Sequence, residues 1–414
     1  MKNVSQIING KRKIIKKPEL LAPAGNLEKL KTAVMYGADA VFVGGKEFSL
    51  RSQASNFTIE DIKEGVVFAS RYGAHVHVTC NIILHSDNLE GIEEYLKTLD
   101  DIGVSAIIVA DPYIMMIAKK LNLKLEVHVS TQLSTLNLKA IQFYADMGMN
   151  RVVLGRETTY EDLKDIMQLT PIDIEYFIHG AMCIHYSGRC MLSNYLSRRD
   201  ANRGGCSQSC RWYYDLYHND ELINKENDIP FSMSSKDMAL IDHIGELIEL
   251  GVDSFKIEGR MKSLHYIATV VSTYRKFIDA YCEDPDAFIY NDKYAQELNK
   301  AANRALCHGF FYEHPSKQEQ LYNLRDEHPT QEFVMRVLDY DPITQLAKIE
   351  QRNYFKVKDQ IEIFSPHHDN IIVSVDELYN EDMERIEVAN HPMEVLYLKV
   401  NYQVEQNDMG RKVL

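Results

Sequence analysis

Four of the chain's seven cysteines, Cys183, Cys190, Cys206 and Cys210, fall within the stretch HGAMCIHYSGRCMLSNYLSRRDANRGGCSQSC, residues 179–210. Six, fifteen and three residues separate them in turn. Four thiolates gathered this tightly suit a structural zinc ion or an iron–sulfur cluster. Zinc sites usually pair cysteines two to four residues apart. Only Cys206 and Cys210 meet that spacing, so the wide first pair favours a cluster. Four unrelated thiols are the plain alternative. His179 and His185 flank Cys183 and raise another, a nucleophilic cysteine with a histidine base. Such pairs are usually assembled from distant segments, and four thiols exceed what a nucleophile needs. Neither an HExxH zinc-protease motif nor a GxSxG serine elbow occurs. Cys80, Cys282 and Cys307 stand apart and read as small buried hydrophobes.

The elements that must position these residues are short apolar runs alternating with amphipathic helices. The strand candidates are ELLAPAG (19–25), DAVFVGG (39–45), HVHVTCN (75–81), SAIIVADP (105–112), LEVHVST (125–131), RVVLGRE (151–157), DIEYFIHG (173–180) and DSFKIEGR (253–260). Eight strand–helix units predict a (β/α)8, TIM-like barrel over residues 18–283 rather than an open doubly wound sheet. The seventh unit carries a cysteine-rich insertion at about 181–238, in which RWYYDLY and PFSMS are expected to form a hairpin. Residues 284–330 read as a helical connector. From 331 to 414, alternating strands broken by Asp, Asn, Pro and His predict a small all-β barrel domain, with the boundary near 325–331. Residues 1–17 form a basic N-terminal tail, expected to be solvated and frayed, or else a local nucleic-acid patch.

In such a barrel the active site lies where the strands end. Those ends carry Asn81, Asp111, His128, Arg156, Glu157, His179, Lys256, Glu258 and Arg260, and Arg51 lies on the loop after the second strand. His128, His179 and Glu258 are the acid–base candidates. Asn81, Arg156, Lys256 and Arg260 are the substrate-binding candidates, with the guanidinium groups suited to carboxylates. The alternative reading of each is helix capping or ion pairing around the rim. The cysteine loop leaves the seventh strand at the same face, so these groups are expected to converge on one cavity walled by the thiols.

Composition bounds the partners. Apolar residues make up 45% and charged residues 26%, with a net charge of −14, which fits a globular protein and excludes a generally basic nucleic-acid binder. The first residues lack a continuous apolar signal core, and no run reaches membrane-span length, so a cytoplasmic protein without a disulfide framework is expected.

EYFIHGAMCIHYSGRCMLS (175–193), PELLAPAGNLEKLKTAVMYGADAVFVGG, NRGGCSQSCRWYY and SFKIEGRMKSLHYIATVV together resemble the collagenase-like peptidase family of unknown catalytic type. The resemblance covers most of residues 18–282 and is nearest to the family's prephenate-dependent tRNA uridine hydroxylation branch. It implies an enzyme that forms 5-hydroxyuridine at the wobble position of tRNA, with prephenate as co-substrate. By position it implies that Cys183, Cys190, Cys206 and Cys210 hold a [4Fe–4S] cluster. It leaves a peptidase, as the family label says, and a non-catalytic iron–sulfur scaffold partnering a hydroxylase as alternatives. A paralogous family subunit or a homo-oligomer is an implied partner. On the tRNA reading, Arg198, Arg199, Arg203 and Arg211 form a local basic patch for the anticodon region. Tyr195, Trp212, Tyr213 and Tyr214 then stack a base, or else form the core of the inserted hairpin.

Overall fold

The computed structural model describes residues 4–8, 11–50, 56–223, 231–321 and 331–413. The eight apolar runs fold as eight strands: β1 (Glu19–Pro23), β2 (Ala40–Gly44), β3 (His75–Cys80), β4 (Ala106–Val109), β5 (Glu126–Val129), β6 (Arg151–Val153), β7 (Asp173–Ala181) and β8 (Ser254–Ile257). Each pairs in parallel with the next. β8 pairs in parallel with both β7 and β1, which closes the barrel. The strands are apolar along most of their length because helices cover the outer face while side chains fill the inside.

Those helices are α1 (Leu27–Met35), α2 (Ile59–Ser70), α3 (Ile92–Asp101), α4 (Pro112–Leu121), α5 (Leu138–Asp146), α6 (Tyr160–Leu169), α7 (Ile244–Leu250) and α8 (Leu264–Glu283). The side chains of Asn26, Thr58, Asp111, Asn137, Thr159 and Ser263 accept hydrogen bonds from exposed backbone N–H groups at their starts. Asp111, a strand-end residue, thus serves as the cap of α4.

The barrel interior is polar towards its N-terminal end. Arg151 bonds Glu19 at 2.6 Å and Glu175 at 3.2 Å, Lys256 bonds Glu175 at 2.6 Å, and Ser254 donates to Glu19 at 2.9 Å. Burial alone would push the Glu175 carboxyl up, but Lys256 and Arg151 outweigh it and hold the group at about 2. The rings of His77 and His128 meet edge to face in the same region, 5.0 Å apart.

The seventh unit departs from the pattern. The end of β7 leaves the barrel register and pairs antiparallel with a short strand, Asp237–Ala239, which in turn pairs with Leu306–Cys307. The insertion between them holds a helix at Leu192–Ser197 and tight turns at Ala201–Arg203 and Ser209–Arg211. Its hairpin joins Tyr217–His218 to Glu221–Leu222, and Tyr214 bridges Phe231. The turn residues Asn219 and Asp220 both have positive φ, the conformation a two-residue hairpin turn requires. Residues 224–230 of the expected hairpin loop lie outside the described residues, as do Arg51 and most of the expected boundary at 325–331.

Two expectations need correction. The basic N-terminal run is not a frayed tail. Ser5–Ile8 and Lys11–Ile14 form a hairpin, and its cations pair with acids on the barrel. Lys11 meets Asp284 at 2.9 Å, Arg12 meets Glu249 at 2.7 Å and Asp286 at 2.8 Å, and Lys13 meets Glu283 at 2.9 Å. The connector is not generally helical either. Its described part holds one short α-helix, α9 (Lys293–Asn299), a strand and a single 3-10 turn. Aromatic anchors rather than helical periodicity fix it: Phe288, Tyr290 and Tyr294 pack around Phe277 of α8.

Beyond residue 331 the chain forms an antiparallel sheet of eight strands around its own core of Val337, Ile349, Ile361, Leu396 and Leu398. A buried cation docks it. The guanidinium of Arg411, fully buried, bonds Glu362 at 2.7 Å, Thr269 of α8 at 3.3 Å, and Glu297 of α9.

Candidate functional site

β7 ends in the sequence that starts the cysteine loop. Met182 is buried, and the loop then crosses the C-terminal end of the barrel. Glu157, which follows β6, fixes it by accepting from the Ser187 backbone N–H at 2.7 Å and from its hydroxyl. Ser134 donates to the Ser187 carbonyl from the turn after β5. Gly188 has φ +72°, and an added Cβ would lie 1.9 Å from the Gln132 carbonyl oxygen. Only glycine allows this approach of backbone to backbone. The second half of the loop is tied back through Asn202, which donates to the Cys190 carbonyl at 3.3 Å, and through Arg211, which donates to Ser234 at 3.1 Å and the Met182 carbonyl at 3.3 Å.

These ties bring the four cysteines together. Cys183 and Cys206 are exposed, and Cys190 and Cys210 half-buried. Burial pushes the Cys210 thiol up, Arg211 opposes it, and the charges of Cys183, Cys206 and Cys190 all bear on it. Cys183 reaches solvent but is crowded by protein on its other sides, and that desolvation pushes its thiol up against the pull of Arg156. Among the described residues no three of these sulfur atoms lie within 4.8 Å of one another. Four thiolates on one zinc ion, with Zn–S bonds of about 2.3 Å, would lie about 3.8 Å apart. The looser set therefore does not match a closed zinc site. A multi-iron cluster spreads its thiolates over several iron atoms and so asks for a wider spacing than one zinc ion does.

The strand-end residues separate into three groups. Arg156 and Glu258 pair at 3.2 Å beside Cys183, and the Arg156 guanidinium lies 3.9 Å from the Phe177 ring centroid. Arg260 is buried and reaches the second βα loop, donating to Asn56 at 3.0 Å and approaching Ser49, Leu50 and Thr79 at 3.4–3.5 Å. Asn81 accepts from the Leu50 backbone there at 3.2 Å. His179 is buried against Tyr266 and Tyr274, and burial lowers its imidazole to about 4. Its Nδ1 faces the Tyr274 hydroxyl at 3.2 Å. The third group lies deeper. Lys256 bonds Glu175, and His128 bonds Glu126 at 2.8 Å, so both side chains are engaged inside the barrel.

A cavity of about 420 Å³ opens between the second βα loop and the cysteine loop. Lys46, Arg199 and Arg203 line it, with Ser49 and Asn88, and Asp200 is its one acid. Lys46 escaped the strand-end reading because it lies past the paired glycines that end β2. Arg199 and Arg203 were visible as part of the arginine cluster. Arg211 is not in that patch; its hydrogen bonds point inward to the loop. Tyr195, Trp212 and Tyr213 are 83%, 42% and 52% exposed, so they are not a hairpin core, whereas Tyr214 turns in to donate to the Ser209 carbonyl at 2.6 Å.

Fold and site define a closed parallel barrel that presents a four-cysteine loop at its C-terminal mouth. The chain belongs to peptidase family U32: the family model matches residues 25–321, and the model of the family's C-terminal domain matches residues 329–411. It is 51% identical over 413 residues to tRNA hydroxylation protein P1 of Bacillus subtilis, covering 99% of this chain and 98% of that one. It is 30% identical over 437 residues to tRNA hydroxylation protein P of Escherichia coli, covering 94% and 95%. A 23S rRNA 5-hydroxycytidine synthase of Escherichia coli is 41% identical over 268 residues, 64% of this chain and 40% of that one. No helix among the described residues is long and apolar enough to cross a membrane.

Proposed function

We propose that this chain is a cytoplasmic RNA-modifying enzyme that hydroxylates uridine at the wobble position of tRNA, with prephenate as co-substrate. The observation that carries the reading is the surface around the four thiols. Exposed Tyr195, Trp212 and Tyr213 share the insertion with Arg199 and Arg203, which line the cationic cavity. Aromatic faces stack unpaired bases, and arginines meet phosphate, so a chain of net charge −14 still offers one local face to RNA. The relatives named for tRNA hydroxylation and for 5-hydroxycytidine synthesis support the same class of reaction.

Cys183, Cys190, Cys206 and Cys210 would hold a [4Fe–4S] cluster, which supplies one-electron redox chemistry when bound. Lys46, on the wall of the cavity opposite the two arginines, is left for a carboxylate of prephenate, and Arg260 holds the second βα loop that forms that wall. Arg156, paired with Glu258, favours the thiolate of Cys183.

The test is nucleoside analysis of tRNA from a deletion strain lacking other wobble hydroxylases. Complementation with the intact gene should restore 5-hydroxyuridine. The double variant Arg199→Glu, Arg203→Glu should fail to do so and should bind tRNA with a shallower salt dependence. If deletion leaves the wobble nucleosides unchanged while cleavage of a peptide substrate is lost, the hydrolase reading replaces this one.

A further inference from the structure

Away from the cysteine loop, a turn and the connector bring together Asp242, His243 and His308, whose ligand atoms all lie within 4.8 Å of one another. Asp242 and His243 belong to the 3-10 turn Ile241–His243, just before α7. His308 follows the short strand Leu306–Cys307, 65 positions later in the chain than His243.

His243 is held in one orientation. Its ring stacks on Phe311 at 4.9 Å and meets Tyr312 and His308 edge to face at 4.9 and 4.7 Å. Its Nδ1 lies 2.8 Å from the Glu246 carboxylate, and the Tyr312 hydroxyl lies 3.2 Å from the same carboxylate. The Tyr312 hydroxyl also lies 3.0 Å from Nδ1, so that nitrogen is engaged on the Glu246 side while Nε2 points the other way. That Nε2 is buried and has no hydrogen-bond partner. Its polar neighbour is Oδ2 of Asp242, 3.5 Å away. Nε2 of His308 lies 3.0 Å from the same oxygen. His308 Nε2 and Asp242 Oδ2 are hydrogen-bonded, and a divalent cation in place of that proton would engage all three ligand atoms.

The spacing suits a particular ion. Ligands at roughly 2.0–2.1 Å around a tetrahedral zinc ion lie about 3.3 Å apart. The 3.0 and 3.5 Å separations bracket that edge. A ligating histidine usually donates its other N–H to a carboxylate, which is the part Glu246 plays for His243. We propose that Asp242, His243 and His308 bind one zinc-class divalent cation, which fastens the 306–312 segment to the barrel. A fourth coordination position is left for water. The fastened segment matters to the neighbouring site, because Cys307 and Gly309 line a second cavity, of about 210 Å³, together with Cys183.

The inference does not rest on the proposed RNA chemistry, and its test is separate. Protein with its thiol site intact is stripped with a chelator and titrated with zinc chloride, and the bound metal is examined by X-ray absorption. One zinc per chain with only nitrogen and oxygen neighbours is expected. His308→Ala, at a half-exposed position, should weaken zinc binding at least 100-fold. Glu246→Gln should weaken it roughly 10- to 100-fold while leaving the three ligands in place. Zinc should raise the melting temperature of the wild type and not that of His308→Ala. Equal zinc binding and equal thermal shifts in wild type and His308→Ala would overturn the site. So would a sulfur shell that accounts for all the bound zinc.

Discussion

Single side chains set how this protein responds to acid. His77, His179 and His265 are buried, and burial lowers them from the ordinary 6.5 to about 3, about 4 and about 3. A histidine whose folded value is depressed binds fewer protons folded than unfolded. Its contribution is complete above 6.5 and falls as pH drops from there towards the folded value. At pH 5.5 each such group costs about 1.4 kcal/mol relative to neutral pH, so three cost about 4 kcal/mol. The urea midpoint should therefore fall steeply between pH 7.5 and 5.5, and a flat midpoint would show that these imidazoles are solvated. Glu175 adds nothing in that window. Its carboxyl, held at about 2 from an ordinary 4.5, loses its contribution only at lower pH. The sequence exposed some of this and hid the rest. The four cysteines were legible because their clustering is local in the chain. His128 and Lys256 were read as rim groups because a strand shows where it ends but not how deep a side chain points. Their partners Glu126 and Glu175 lie below the rim. Asp242, His243 and His308 had no signature, since the third member lies far along the chain.

At the level of the element, the cysteine loop is held by backbone approach more than by side-chain packing. Gly188→Ala would drive a Cβ into the Gln132 carbonyl at a positive φ, so the loop must lift away from the turn after β5. The expected result is protein that still folds, with a melting temperature lower by several degrees, and that shows much less of the iron and visible absorption expected of the proposed cluster than the wild type does after anaerobic purification. Unchanged iron would mean that the loop's position does not control its ligands. The barrel strands were readable because parallel strands covered on both faces are continuous apolar runs with glycine stops, as at Gly251 after α7. The connector was misread because its polar stretch is pinned by separated aromatics, a pattern without period. The N-terminal run was misread because its acidic partners come from Glu249 and from residues 283–286, distant in sequence.

On the scale of the whole molecule, barrel and β domain act together through Arg411. The guanidinium is fully buried between Glu362 of the β domain and Glu297 and Thr269 on the barrel side, and it lies 4.4 Å from the Phe364 ring centroid. Arg411→Ala removes the buried one of the two cations that Glu362 and Glu297 share and leaves Lys300, 2.8 Å from Glu362 and 2.9 Å from Glu297, as the other, a loss of up to about 3 kcal/mol. Chemical denaturation should then show the β domain separating from the barrel at lower denaturant, as a second transition. A single transition at the wild-type midpoint would mean that the other contacts across the boundary, such as His265 stacked on Phe333 and Arg336 paired with Glu28, hold the domains without Arg411.

The closing strand carries one more implication, which concerns synthesis rather than stability. β8 seals the barrel by pairing with β7 and β1, and residues 182–253 lie between β7 and β8. The ribosome delivers the chain from its N-terminus, so all four cysteines emerge before the strand that closes the seam. The cysteine loop is complete while the barrel is still open along one edge. Loop and seam then share a single moment of assembly, in which the last strand slides in beside a segment that already carries its thiols.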